Sequence, residues 1–80
     1  MPTKVNCVFV DGLVPNEKIA QIRWADGRLE EVEVPIQNIA GNTLLTYEVG
    51  RRQDEVLVEL PRESTSGHWR MWVKDSLIGA

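Results

Sequence analysis

IAQIRWADGRLEEVEVPI, the stretch from Ile19 to Ile36, decides the fold class, because alternation, strand propensity and turn chemistry agree within it. Two alternating runs meet at Asp26-Gly27, a pair that tolerates the positive φ a tight hairpin requires. A loop of these two residues alone would set Trp24 against Leu29 and leave Ala20 and Ile22 opposite Glu33 and Glu31, with oil and charge mixed on both faces. A three-residue loop, Ala25-Asp26-Gly27 with Gly27 in the left-handed region, inserts a bulge and pairs Trp24 with Arg28, Ile22 with Glu30 and Ala20 with Val32. One face then carries Ala20, Ile22, Trp24, Val32 and Val34, and the other Gln21, Arg23, Glu31 and Glu33. A one-residue slip would exchange the faces, so burial selects the bulged register.

Outward from this hairpin the chain keeps the same character. Lys4 to Val10 alternates Val5, Cys7 and Phe9 with Asn6, Val8 and Val10 and reads as one strand. Asp11-Gly12 breaks it, and Pro15 and Asn16 make the connection to the hairpin irregular. Pro35 to Gly41 places proline where a helical turn starts and glycine where it stops, with Ile36 and Ile39 directed inward. Asn42 to Val49 and Glu55 to Leu60 form a second hairpin across the polar Gly50 to Asp54 connection. Pro61 to Gly67 is the most loop-like and most mobile stretch. His68 to Val73 is the last strand, with Trp69, Met71 and Val73 on one side and Arg70 and Trp72 on the other. Asp75-Ser76 caps a final turn that buries Leu77 and Ile78, and Gly79-Ala80 frays.

About six short strands with almost no helix indicate an all-β single domain over residues 1–80, a small antiparallel barrel or strongly bent sheet with one short helical turn. In strand count and hairpin spacing alone the layout resembles an SH3-like or Tudor-like barrel, with an OB-like barrel as second choice. No family motif is matched residue by residue.

At 80 residues the folded surface scales to roughly 4,900 Å² and only about 60% of the unfolded surface is buried. Such a core is thin, and association of subunits would supplement it. The formal charge of −3 argues against nucleic-acid binding by bulk charge. A single cysteine, Cys7, rules out an internal disulfide and a cysteine-based zinc site, and a reducing compartment follows as the default. No hydrophobic run is long enough for a membrane span, and the start of the chain lacks a signal-peptide segment. The expectation is a soluble cytoplasmic protein with no membrane partner.

The residues hold little chemistry. The lone histidine, His68, has Ser64, Ser66 and Cys7 as conceivable partners, and no orienting group is placed beside it, so it reads as an exposed loop residue. Cys7 in a strand reads as a small buried hydrophobe, with nothing adjacent to depress its pKa. Glu30, Glu31 and Glu33 form the densest acidic cluster, but alternation turns Glu30 away from the other two and the group reads as a solvated strand face, without a metal. No glycine forms a phosphate-cradling loop. The expectation is no enzyme, no catalytic residue, no cofactor and no metal.

One feature exceeds background: basic and aromatic residues gather in the second half as Arg51, Arg52, Arg62, His68, Trp69, Arg70 and Trp72. Trp69 and Trp72 cannot both be buried easily in so small a domain. These seven residues are the candidate binding surface. The leading reading is a non-catalytic module that docks a protein partner or its own copy, through the Trp72 and Arg70 face or through a free strand edge. The second is a small-barrel nucleic-acid binder with Arg51, Arg52, Arg62, Arg70 and Lys74 on phosphates and a tryptophan for stacking. The third is an enzyme with a composite site where copies meet in an oligomer.

Overall fold

The computed structural model describes residues 1–79, and over them the chain is mostly β. Eight strands run in order: β1 (Pro2–Asn6), β2 (Val8–Asp11), β3 (Glu17–Arg23), β4 (Leu29–Pro35), β5 (Ile39–Ala40), β6 (Thr43–Arg52), β7 (Glu55–Glu59) and β8 (Arg70–Lys74). Single 3-10 turns lie at Ile36–Asn38 and Asp75–Leu77. All pairings are antiparallel, in two sheets. One has the order β1-β6-β7-β8 with β5 also on β6, and the other is β2-β3-β4. Among the described residues no helix is long and apolar enough to cross a membrane.

The central hairpin forms in the bulged register. Ala20 pairs with Val32 and Ile22 with Glu30, and the Trp24 amide donates to the Arg28 carbonyl at 2.8 Å. Gly27 closes the loop at φ +95°, a conformation that a side chain would penalise. Ala20, Ile22, Val32 and Val34 are fully buried. They face Val5, Leu44, Val56, Val58, Leu60, Met71 and Val73 from the other sheet and its connections, and together these make one core. The accessible surface is 4796 Å², close to the value that chain length implies.

The single curled barrel wall is corrected to two sheets, and six strands to eight. Lys4 to Val10 does not run as one strand: it leaves the first sheet at Cys7, whose amide is taken by the Asn42 carbonyl at 3.1 Å, and continues as β2 in the second. Gly50, Arg51 and Arg52, expected in a connection, extend β6 past a register shift between Glu48 and Gly50, and the turn tightens onto Gln53 at φ 48°. The extra residue of a bulge re-aims the strand without ending it.

Trp69 precedes β8 and is 53% exposed, so it does not continue the buried face of Met71. Ile39 packs on the core as expected, whereas Ile36 is exposed. The 3-10 turn at Asp75 has no side-chain cap. Gly79 does not fray within the described residues, since its amide donates to the Lys4 carbonyl at 2.7 Å; the expectation for Ala80 lies outside them.

Candidate functional site

The seven sequence-predicted residues fall into separate places. Three cross-strand rows make the outer face of the first sheet: Tyr47, Glu59 and Arg70; Gly50, Leu57 and Trp72; Arg52, Glu55 and Lys74. The Trp72 ring is half-buried over the Gly50 row, and the Arg52 guanidinium lies 4.0 Å from its centroid. Arg70 sits two residues along on the same face and pairs with Glu59 at 3.2 Å. Thus Arg52, Arg70 and Trp72 are together. Arg51 turns instead to Glu48 at 3.4 Å and Asp75 at 4.0 Å, and Arg62 reaches Glu17 on the second sheet at 2.9 and 3.1 Å. With Lys74 held by Asp54 at 3.1 Å, every one of the five cations proposed for phosphate contact already faces a carboxylate. The Lys74–Asp54 pair raises the lysine and lowers the aspartate from their ordinary pKa values through their mutual hydrogen bond.

His68 belongs to a different cluster, built around a carboxylate that the sequence reading placed in solvent. The hairpin register puts Glu30 opposite Ile22, on the inner face, where it is 6% exposed. That correction follows from the pairing itself: the residue opposite Ile22 must share its face. Glu30 accepts from the Trp24 indole N–H at 2.8 Å and from the Ser66 amide at 3.3 Å. The Ser66 hydroxyl donates to it at close range, and the Ser64 hydroxyl, which accepts the His68 amide at 3.0 Å, adds to the stabilisation of its charge. Burial pushes the Glu30 carboxyl up, but the hydroxyls of Ser64 and Ser66, the indole and the Ser66 amide outweigh it and bring the pKa down to about 2. Thr65 adds main-chain and hydroxyl bonds to the Glu31 carbonyl, at 2.9 and 3.1 Å. The stretch read as the most mobile is therefore fastened along β4.

The Ser66 hydroxyl also lies 2.9 Å from His68 Nδ1, and the His68 ring meets Trp24 edge-on at 5.0 Å. A serine, a histidine and a buried carboxylate in contact resemble a nucleophilic set only in composition. The one hydroxyl hydrogen of Ser66 goes to the ionised Glu30, so Nδ1 must donate to the serine oxygen and cannot act as its base. Glu30, held near pKa 2, is a poor proton acceptor at neutral pH. This arrangement orders a loop.

Cys7 is half-buried with its thiol pushed up to about 11 by burial, opposed by the Leu44 backbone, and its Sγ lies 3.6 Å from the Val5 carbonyl. It is a protonated packing residue at neutral pH. Among the described residues no His, Cys, Asp or Glu group converges as a metal set.

The third place is the edge of β2. The Gly12 amide donates to the Glu17 carbonyl at 3.2 Å, so along this ladder Val10 with Ile19 and Val8 with Gln21 are the hydrogen-bonded pairs. Phe9 and Asp11 then aim their N–H and C=O groups away from β3. Cys7, the previous residue of that parity, gives its amide to Asn42; Phe9 and Asp11 have no such partner among the described residues. Other edges carry contacts from the chain itself: the Glu31 carbonyl on β4 receives the Thr65 amide, the Trp72 carbonyl on β8 receives the Ala25 amide at 2.8 Å, and Val5 on β1 bridges to Ile78. Beside the free edge runs an open groove of about 600 Å³ lined by Phe9, Lys18, Ile36 and Ile39 among others. Val8 and Val10 stay exposed on the outer face, with Leu13 just beyond them. Sequence reasoning raised a free edge without locating it, because only the split at Cys7 separates β2 from β6.

No family model, no curated protein and no solved structure matches this chain.

Proposed function

We propose that the chain is a non-catalytic interaction module that docks protein through the uncovered edge of β2. The observation that carries this reading is the contrast between spent and unspent surface. The arginines and Lys74 of the candidate patch are answered by carboxylates of the same chain, while β2 keeps main-chain donors, acceptors and valines without partners. A strand edge with neither lysine, proline nor bulge is a template for another strand. Within an all-β domain of SH3-like or Tudor-like layout, a free edge is a sufficient docking device and no cofactor is needed.

The experiment is site-specific photo-cross-linking in cells, with the reactive group at position 8 and, as control, at position 59. Discrete protein adducts at position 8 and none at 59 are expected. A titration of the same protein with single-stranded oligonucleotide is expected to show no binding even at low salt. Binding that weakens steeply with added salt, with no protein adduct at position 8, would overturn the reading in favour of phosphate recognition.

A further inference from the structure

A docking strand needs an occupant, and the identity of that occupant rests on the reading of β2 as such a strand. We infer that the occupant is β2 of a second copy, laid antiparallel about a two-fold axis that passes through Val10. The outward-facing main-chain groups belong to Phe9 and Asp11. Three symmetric registers bring them together, and the one that sets Asp11 against Asp11 places two carboxylates on the axis and is disfavoured by like charge. Setting Phe9 against Phe9 uses only one residue's groups from each copy and sets Asp11 against Cys7, whose N–H is already given to Asn42. Setting Phe9 against Asp11 of the second copy uses every free donor and acceptor on both chains, four hydrogen bonds in all, with Val10 opposite Val10 in the closely spaced, non-hydrogen-bonded position.

The side chains agree with this last register. It places Val8, 62% exposed, opposite Gly12 of the second copy and next to its Leu13, at 87% the most exposed large hydrophobic among the described residues. Each lacks a partner within its own chain and is given one by symmetry. The Asp11 carboxylate is accompanied by Lys18 at 3.2 Å, and the Glu33 carboxylate beside Leu13, which accepts its amide at 2.6 Å, is the one charge on this strip that added salt must screen as two chains of net charge −3 approach. The groove beside Phe9 and Ile39 is the space into which the neighbouring strand moves. Pairing of two four-residue edges with these valines and Leu13 makes a small interface, of the kind that forms reversibly.

The test is disulfide trapping in a Cys7→Ser background. In an antiparallel non-hydrogen-bonded pair the Cα atoms are about 4.5 Å apart, within the range a disulfide spans, so Val10→Cys oxidises to a covalent dimer. Val8→Cys does not, because the axis carries the two copies of position 8 well apart. Sedimentation of the unmodified chain from micromolar to millimolar concentration shows a monomer–dimer equilibrium, and Val10→Lys, which sets like charges on the axis, weakens it by about tenfold or more. Val49→Lys, at an exposed valine of β6, leaves it unchanged. A monomer at millimolar concentration, or trapping at position 8 as fast as at position 10, overturns the inference. If adducts to another protein still form at position 8, the docking edge stands and only its occupant is wrong; if they are absent too, both readings fall.

Discussion

Replacing Glu30 by glutamine removes one charge while keeping the length of a side chain that three donors surround. The carboxylate accepts from the Trp24 indole, the Ser66 amide and the Ser66 hydroxyl. A glutamine offers one acceptor oxygen and turns an NH₂ group toward the remaining donors, which leaves buried groups unpaired. Charge-assisted bonds to buried groups contribute about 1.5–3 kcal/mol, and an unsatisfied buried donor costs about 1–3 kcal/mol more. A loss of about 2–4 kcal/mol at pH 7 is expected from a domain whose total is about 4–12 kcal/mol at 80 residues. The same site sets an acid dependence. The carboxyl of Glu30 titrates near 2 when folded, against an ordinary 4.5, so its stabilisation is complete above the unfolded value and is lost as pH falls from about 4.5 toward 2. From pH 6 to pH 3 this amounts to about 2 kcal/mol. Urea denaturation followed by tryptophan emission at both pH values measures it: the wild type loses that increment and Glu30→Gln does not. Equal acid sensitivity of the two proteins would refute the reasoning.

Gly27→Ala places a side chain at φ +95° and should cost about 1–2 kcal/mol, seen as a midpoint at least about 4 °C lower in a thermal melt; an unchanged midpoint would mean the loop is not held in this conformation. With its thiol near pKa 11 rather than 9.0, Cys7 should be alkylated at pH 8 about a hundredfold more slowly than a free cysteine, and a rate within tenfold of free thiol would contradict its burial. Arg52→Ala uncovers the Trp72 ring and releases Glu55, with a loss of only about 0.5–1 kcal/mol and an altered indole emission on quenching by iodide; unchanged quenching would show that the guanidinium does not shield the ring.

Where one face had to be buried, the sequence determined both strand and register. Trp24 against Leu29 would have driven Glu31 and Glu33 toward Ile22 and Ala20, so the bulge at Gly27 was readable from patterning alone, whereas alternation in β6 left open whether Leu44 or Leu45 is the buried one; Leu44 is. Legibility failed where alternation is neutral. Val5, Cys7 and Val8 are apolar on both sides of the strand, so nothing local shows that the chain changes sheets at Cys7; the cause is a long-range bond to Asn42. Glu30 was misjudged because three glutamates in four residues look like a solvated run, although the pairing with Ile22 fixes its face. The candidate site divides in the same way. Arg52, Arg70 and Trp72 share a sheet face by register, whereas Arg51, Arg62 and His68 are drawn off by Asp75, Glu17 and Ser66, which lie far from them in sequence or across a loop.

The two seams between the sheets are held differently, and this asymmetry connects stability with binding. On the β4 and β8 side, Glu30 and Glu31 gather the Ser64 to Ser66 loop and Ala25 bonds Trp72, so that side is closed by groups of the chain itself. On the β2 side the Cys7 amide and the Asn42 carbonyl, at 3.1 Å, join the two sheets. A loss at Glu30 should open the first seam without altering the β2 edge, and a lysine at Val10 should silence the edge without lowering the melting midpoint by more than a few degrees. The double variant Glu30→Gln, Val10→Lys should then show additive effects on unfolding, as expected for sites without shared partners. Coupling beyond about 0.5 kcal/mol would mean that the edge is held in shape by the opposite seam, and that docking on β2 reports on the Glu30 latch.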